Sequence, residues 1–121
     1  MNVRVGLDIV GVARIRAAQE RWDARFLDRV FTPAERMYCQ SRAESLAARF
    51  AAKEAVFKVL GTGWGQGVQW RDVEVVMGDM GPEIRLYGAA AARAAALSLD
   101  GWSVSLTHSD GFAAAVVLAH G

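Results

Sequence analysis

The sequence holds one cysteine, Cys39, and two prolines in 121 residues. A lone cysteine excludes an internal disulfide and any cysteine-rich metal site, and it fits a reducing cytosol. No apolar run approaches the ~20 residues of a membrane-spanning helix. The opening stretch Met1-Asn2-Val3-Arg4-Val5 has no secretory apolar region and reads as a strand, so a cytoplasmic protein is expected. Lysine is scarce: Lys53 and Lys58 share one short segment, against twelve arginines elsewhere. There is no Walker loop and no serine in a nucleophile elbow, and the glycine-rich stretch 61–67 lacks the Lys-Ser/Thr ending of a P-loop. At 53% hydrophobic and 22% charged residues, the chain is not disordered. Its length suits a single domain over 1–121 with one proper core.

The net charge of +1 hides an asymmetry. Residues 1–58 carry 11 Lys/Arg against 7 Asp/Glu, and residues 59–121 carry 3 against 6. The basic half is too sparse for a nucleic-acid protein. It suits an acidic partner or an anionic ligand.

Val3–Val10 alternates and is β-branched, which predicts a strand ending near Asp8–Val10. From Val12, Ile15, Trp22, Phe26 and Val30 repeat at helical spacing, as one helix or two. Thr32-Pro33-Ala34-Glu35 is a capping box with proline at the first helical position. Ser41-Arg42-Ala43-Glu44 repeats the box and opens a helix over about 42–60 that is apolar nearly all round and stops at Gly61. A loop at Gly61–Gly67 follows. Strands are predicted at Val73–Met77 and Glu83–Leu86 with a Gly81-Pro82 turn between them, an alanine-rich helix at 88–98, and strands at Trp102–Thr107 and Phe112–Ala119 joined at His108-Ser109-Asp110-Gly111. The fold class is α+β: a small antiparallel sheet with helices on one side, one of them long and buried.

Several residues have two readings. Glu54 lies inside the buried helix between Phe50 and Phe57, where a bare carboxylate is costly. Either Lys58 at i+4 pairs with it, or Glu54 is a ligand of a hard cation. Asp8, after Gly6 near the end of the first strand, is either a helix N-cap or Asx-turn, or a second carboxylate for that cation. Two carboxylates with open coordination positions suit Mg²⁺, which takes water and phosphate oxygens for the rest. Arg14, Arg21 and Arg25 fall within ~40° of one another on a helix, as a solvated face or a dock for an acidic helix. His108 at its turn is an acid/base, a phosphate contact or a structural cap.

In order and spacing, these pieces resemble one family. Val5-Gly6-Leu7-Asp8-Ile9-Val10, Phe31-Thr32-Pro33-Ala34-Glu35, the stretch Leu46–Gly61 with Arg49, Lys53, Glu54 and Lys58, and Val104-Ser105-Leu106-Thr107-His108 resemble the short holo-(acyl-carrier-protein) synthases over essentially the whole chain. The resemblance implies an α+β homotrimer with active sites between subunits. It implies transfer of 4′-phosphopantetheine from coenzyme A to a serine of apo acyl carrier protein in fatty acid biosynthesis, releasing adenosine 3′,5′-bisphosphate. By that match Asp8 and Glu54 hold Mg²⁺, Lys58 faces the diphosphate, Arg49 and Gly61 contact the coenzyme, and His108 lies near the nucleotide. The helix of Arg14, Arg21 and Arg25 docks the carrier. Ala18, where relatives often have a larger apolar contact, and Trp64 in the glycine loop depart from the family pattern and bear on carrier preference. The rival readings are a transferase tuned to polyketide or peptide-synthase carriers, and a non-catalytic binding module that has kept the fold.

Overall fold

The structure, a computed structural model, describes residues 2–62 and 67–121. Most of the glycine loop, with Trp64, lies outside the described residues. The chain runs β1 (Val3–Gly11), α1 (Val12–Trp22), α2 (Ala24–Val30), α3 (Pro33–Cys39), α4 (Ala43–Leu60), β2 (Val73–Gly78), β3 (Gly81–Leu86), α5 (Gly88–Ala96), β4 (Gly101–Ser109) and β5 (Phe112–His120). A short 3₁₀ turn at Trp70–Asp72 precedes β2.

The strands form two antiparallel sheets among the described residues. One has three strands in the order β1-β5-β4, and the other is the β2-β3 hairpin. The expected class holds, although the sheet is split. In the larger sheet Asp8 sits opposite Ala115, and Val104 opposite Val117. Its inner face, built on Val10, Ala113, Ala115, Val117 and Ala119, packs against α4. Alanine dominates the inner face of β5, so the helix lies close to the strands. Of α4, only Glu44, Ser45, Glu54 and Lys58 escape burial. An apolar surround on nearly every side makes it the central element. Gly61 ends it in the left-handed conformation at φ 69°, which glycine adopts without strain.

Some boundaries differ from expectation. β1 continues to Gly11, so Asp8 lies within the strand and is no helix cap. The 12–31 segment is two helices, broken at Asp23, whose φ of 44° no helix continues. The box at Thr32 forms as expected: its hydroxyl accepts from Glu35 N, and Glu35 accepts from Thr32 N. The second box does not form. Arg42 is the N-cap of α4, without a side-chain cap, and Glu44 turns outward. The hairpin turn is Asp79-Met80, with Gly81-Pro82 inside β3, and His108 and Ser109 lie inside β4, leaving Asp110-Gly111 as the turn.

Candidate active site

The site is built where β1 crosses α4. Arg4, Gly6, Asp8 and Val10 form the inward row of β1. A Cβ on Gly6 would lie 2.1 Å from the Ala55 carbonyl oxygen, so only glycine lets the strand backbone rest on the helix there. The next inward residue, Asp8, is thereby set beside the exposed flank of α4. Lys58 on the last turn of α4 donates to the Leu7 carbonyl at 2.7 Å and reaches Asp8 Oδ1 at 3.2 Å. The local Glu54–Lys58 pair is therefore not what forms: the lysine crosses to the strand.

Glu54, one turn earlier, is half-buried. Burial raises its pKa above the usual carboxylate value, the charge of Asp8 adds to the rise, and Arg14 and Lys58 oppose it. Among the described residues no hydrogen bond or ion pair satisfies its carboxylate. Two carboxylates and two cations thus face one notch.

From Glu54 a cleft of about 600 Å³ runs between α1, α2 and α4, with Arg14, Ala18, Arg21, Phe26, Phe50 and Trp70 in its walls. The Phe50 and Trp70 rings stack at 4.9 Å, and Phe57 meets Trp70 edge-on at 5.1 Å. The Arg14 guanidinium lies 5.4 Å from the Phe50 ring centroid, and that of Arg21 lies 4.8 Å from that of Trp22. Both contacts have cation–π geometry and keep the charged heads at the cleft. Arg25 does not share their helix. It begins α2 across the Asp23 break and lines an adjoining depression with Trp22, Phe26 and Arg29.

Arg49 and His108 lie apart from this notch within one chain. Arg49 is buried, its guanidinium 4.5 Å from the Tyr38 ring and 3.5 Å from Met77 Sδ, and among the described residues its Nε has no hydrogen-bond partner. Five residues from Glu54, it lies about 140° around the helix. His108 Nδ1 is 3.3 Å from Glu44 at the opposite end of α4, about 15 Å along the axis from Glu54. It lines a separate hollow with Arg16 and Asp110. Gly61 caps α4, where Arg93 donates to the Leu60 carbonyl at 3.0 Å. The expectations from the sequence missed Lys53 and Trp70. The available signal was a lysine amid the apolar residues of a buried helix, which only a buried acceptor can explain.

The model of the 4′-phosphopantetheinyl transferase superfamily matches residues 4–117, and the chain belongs to that family. It is 49% identical over 125 residues to a holo-[acyl-carrier-protein] synthase of Desulforudis audaxviator, covering 100% of this chain and 95% of the relative. It is 48% identical over 115 residues to the synthase of Dehalococcoides mccartyi, covering 94% and 95%. Its fold is similar to the Helicobacter pylori synthase in complex with coenzyme A, with a TM-score of 0.87 and 32% identity over 96% of this chain and 99% of that one.

Proposed function

We propose that this chain is a holo-(acyl-carrier-protein) synthase, moving 4′-phosphopantetheine from coenzyme A to a serine of apo acyl carrier protein. The observation that carries the reading is the notch of Asp8, Glu54, Lys58 and Arg14 in a member of this family. The substrate serine Oγ attacks the β-phosphorus, a P–O bond to the bridging oxygen breaks, and adenosine 3′,5′-bisphosphate leaves with that oxygen. The nucleophile comes with the carrier, which agrees with the lack of a serine elbow here. Such a transfer needs positioning and charge neutralisation more than covalent help from the protein.

The donor set fits Mg²⁺. Asp8 and Glu54 present two carboxylates to one notch, close enough for the Asp8 charge to act on Glu54. A cation that keeps water and takes phosphate oxygens suits such an incomplete set. When bound, it supplies neutralisation of the diphosphate charge. Lys58, exposed and anchored by the Leu7 carbonyl, places a point charge at the rim. Glu54 takes the serine proton through a water. Arg14 and Arg21 present the donors that meet an acidic carrier helix, with Arg25 at the margin. By the family match Arg49, Gly61 and His108 contact the coenzyme, in a site completed between the subunits of a homotrimer. The single 1–121 domain works in the cytoplasm, in fatty acid biosynthesis.

The test is to incubate the protein with apo carrier, coenzyme A and Mg²⁺ and to weigh the carrier by mass spectrometry. A phosphopantetheine-sized gain that needs Mg²⁺ is expected. An unmodified carrier at saturating reagents would remove the reading in favour of a binding module.

A further inference from the structure

Lys53 is fully buried, yet it is a neighbour of Glu54 in sequence. Its ammonium is 2.8 Å from Glu35 Oε1 and donates to the carbonyl oxygens of Trp70, at 3.2 Å, and Val73. Glu35 in turn accepts from the backbone N–H groups of Thr32, at 2.9 Å, and Val75, at 2.8 Å. Beside them Glu74 accepts from Thr32 Oγ1 at 2.5 Å and from the Tyr87 hydroxyl at 2.9 Å. This network ties the middle turn of α4 to the backbone from Trp70 to Val75. A buried ion pair is weak evidence of stability, because two apolar residues of similar size often do as well. What it does here is fix geometry: the Trp70 backbone is held by Lys53 while its ring stacks on Phe50 in the cleft that Glu54 lines.

We infer that Lys53 is a positioning residue for transfer, acting through Trp70, whose ring it seats in the cleft wall beside Glu54. The inference rests on the synthase reading, and the wild-type assay tests that reading by itself. Lys53→Met takes the cation away from the buried Glu35 carboxylate, so the decisive variant is Lys53→Met/Glu35→Gln, which removes both partners of the ion pair. It is expected to fold cooperatively and to lose the near-ultraviolet dichroism of the stacked Trp70. Its kcat/KM for carrier should fall about tenfold or more, since small misplacements in such a site are costly, while the KM for coenzyme A stays unchanged. Trp70→Ala should show the same fall. Combining Trp70→Ala with the neutral pair should add little, as for residues that act as one unit. A folded neutral-pair variant with wild-type kcat/KM overturns the inference, and so do losses that simply multiply. If no Lys53 variant folds, Trp70→Ala decides alone: full carrier kcat/KM overturns the inference, and a tenfold loss at unchanged coenzyme KM supports it. Absence of transfer by the wild-type protein would instead overturn the synthase reading.

Discussion

Burial and the Asp8 charge act on Glu54 in the same direction, so the folded chain holds this proton to higher pH than the unfolded chain does. Between the ordinary value of 4.5 and the raised folded value, the native state binds more protons. Stability from this group therefore falls as pH rises through that window. Thermal melts of metal-free protein should show a steeper decline above pH 4.5 in wild type than in Glu54→Gln; equal slopes would remove the assignment. Added Mg²⁺ should raise the melting temperature of wild type by binding only the native state, and should fail to do so in Asp8→Ala and Glu54→Ala. Both variants should stay folded and lose transfer, because each leaves one carboxylate to hold the cation. Normal turnover by both at saturating Mg²⁺ would exclude the shared site.

At the scale of elements, the Asp23 break decides which arginines act together. Arg14 and Arg21 stay on α1 and line one cleft, whereas Arg25 starts a new helix. Arg14→Glu and Arg21→Glu should raise the KM for carrier about tenfold, and Arg21→Glu, which stands outside the notch, should leave the KM for coenzyme A within twofold. An exposed pair contributes only about 0.2–1 kcal/mol, and reversal adds repulsion to that loss. Raised salt should weaken wild-type docking toward the mutant level. Carrier KM values unchanged at low salt would place docking elsewhere. The sequence shows α4 well, since an unbroken apolar segment ending in glycine leaves little choice, and the family motif picks out Asp8 and Glu54, which the fold places beside one another. It does not show where Lys58 goes. The i+4 spacing suggests a partner within the helix, but β1, fifty residues away in sequence, offers both a carbonyl and a carboxylate. The Ser41 box fails because the helix starts one residue later, with Arg42 at the N-cap, and Glu44 stands beside His108 of β4 instead.

For the whole molecule, the question is where surplus apolar surface lies. The α4 helix, apolar nearly all round, is absorbed by the chain's own core. The surplus is instead the outer face of the three-stranded sheet. Val3, Val5, Leu7 and Ile9 of β1 stand exposed there, up to 65% at Ile9, beside Phe112, Val116 and Leu118 of β5. Among the described residues no helix covers this face, and a contiguous apolar patch of that kind marks an interface. We propose that three copies join by these faces, burying the surplus around a three-fold axis. Light scattering at micromolar concentration should therefore give three times the chain mass. Ile9→Lys/Leu118→Glu alters only exposed positions, so it should keep native circular dichroism while shifting the protein toward monomer. Transfer should fall in step with trimer content and return at high protein concentration. A wild-type monomer with full activity would remove the trimer. A monomeric variant with full activity would show that one chain holds the complete site, and Arg49 and His108 would then lose their proposed place in it.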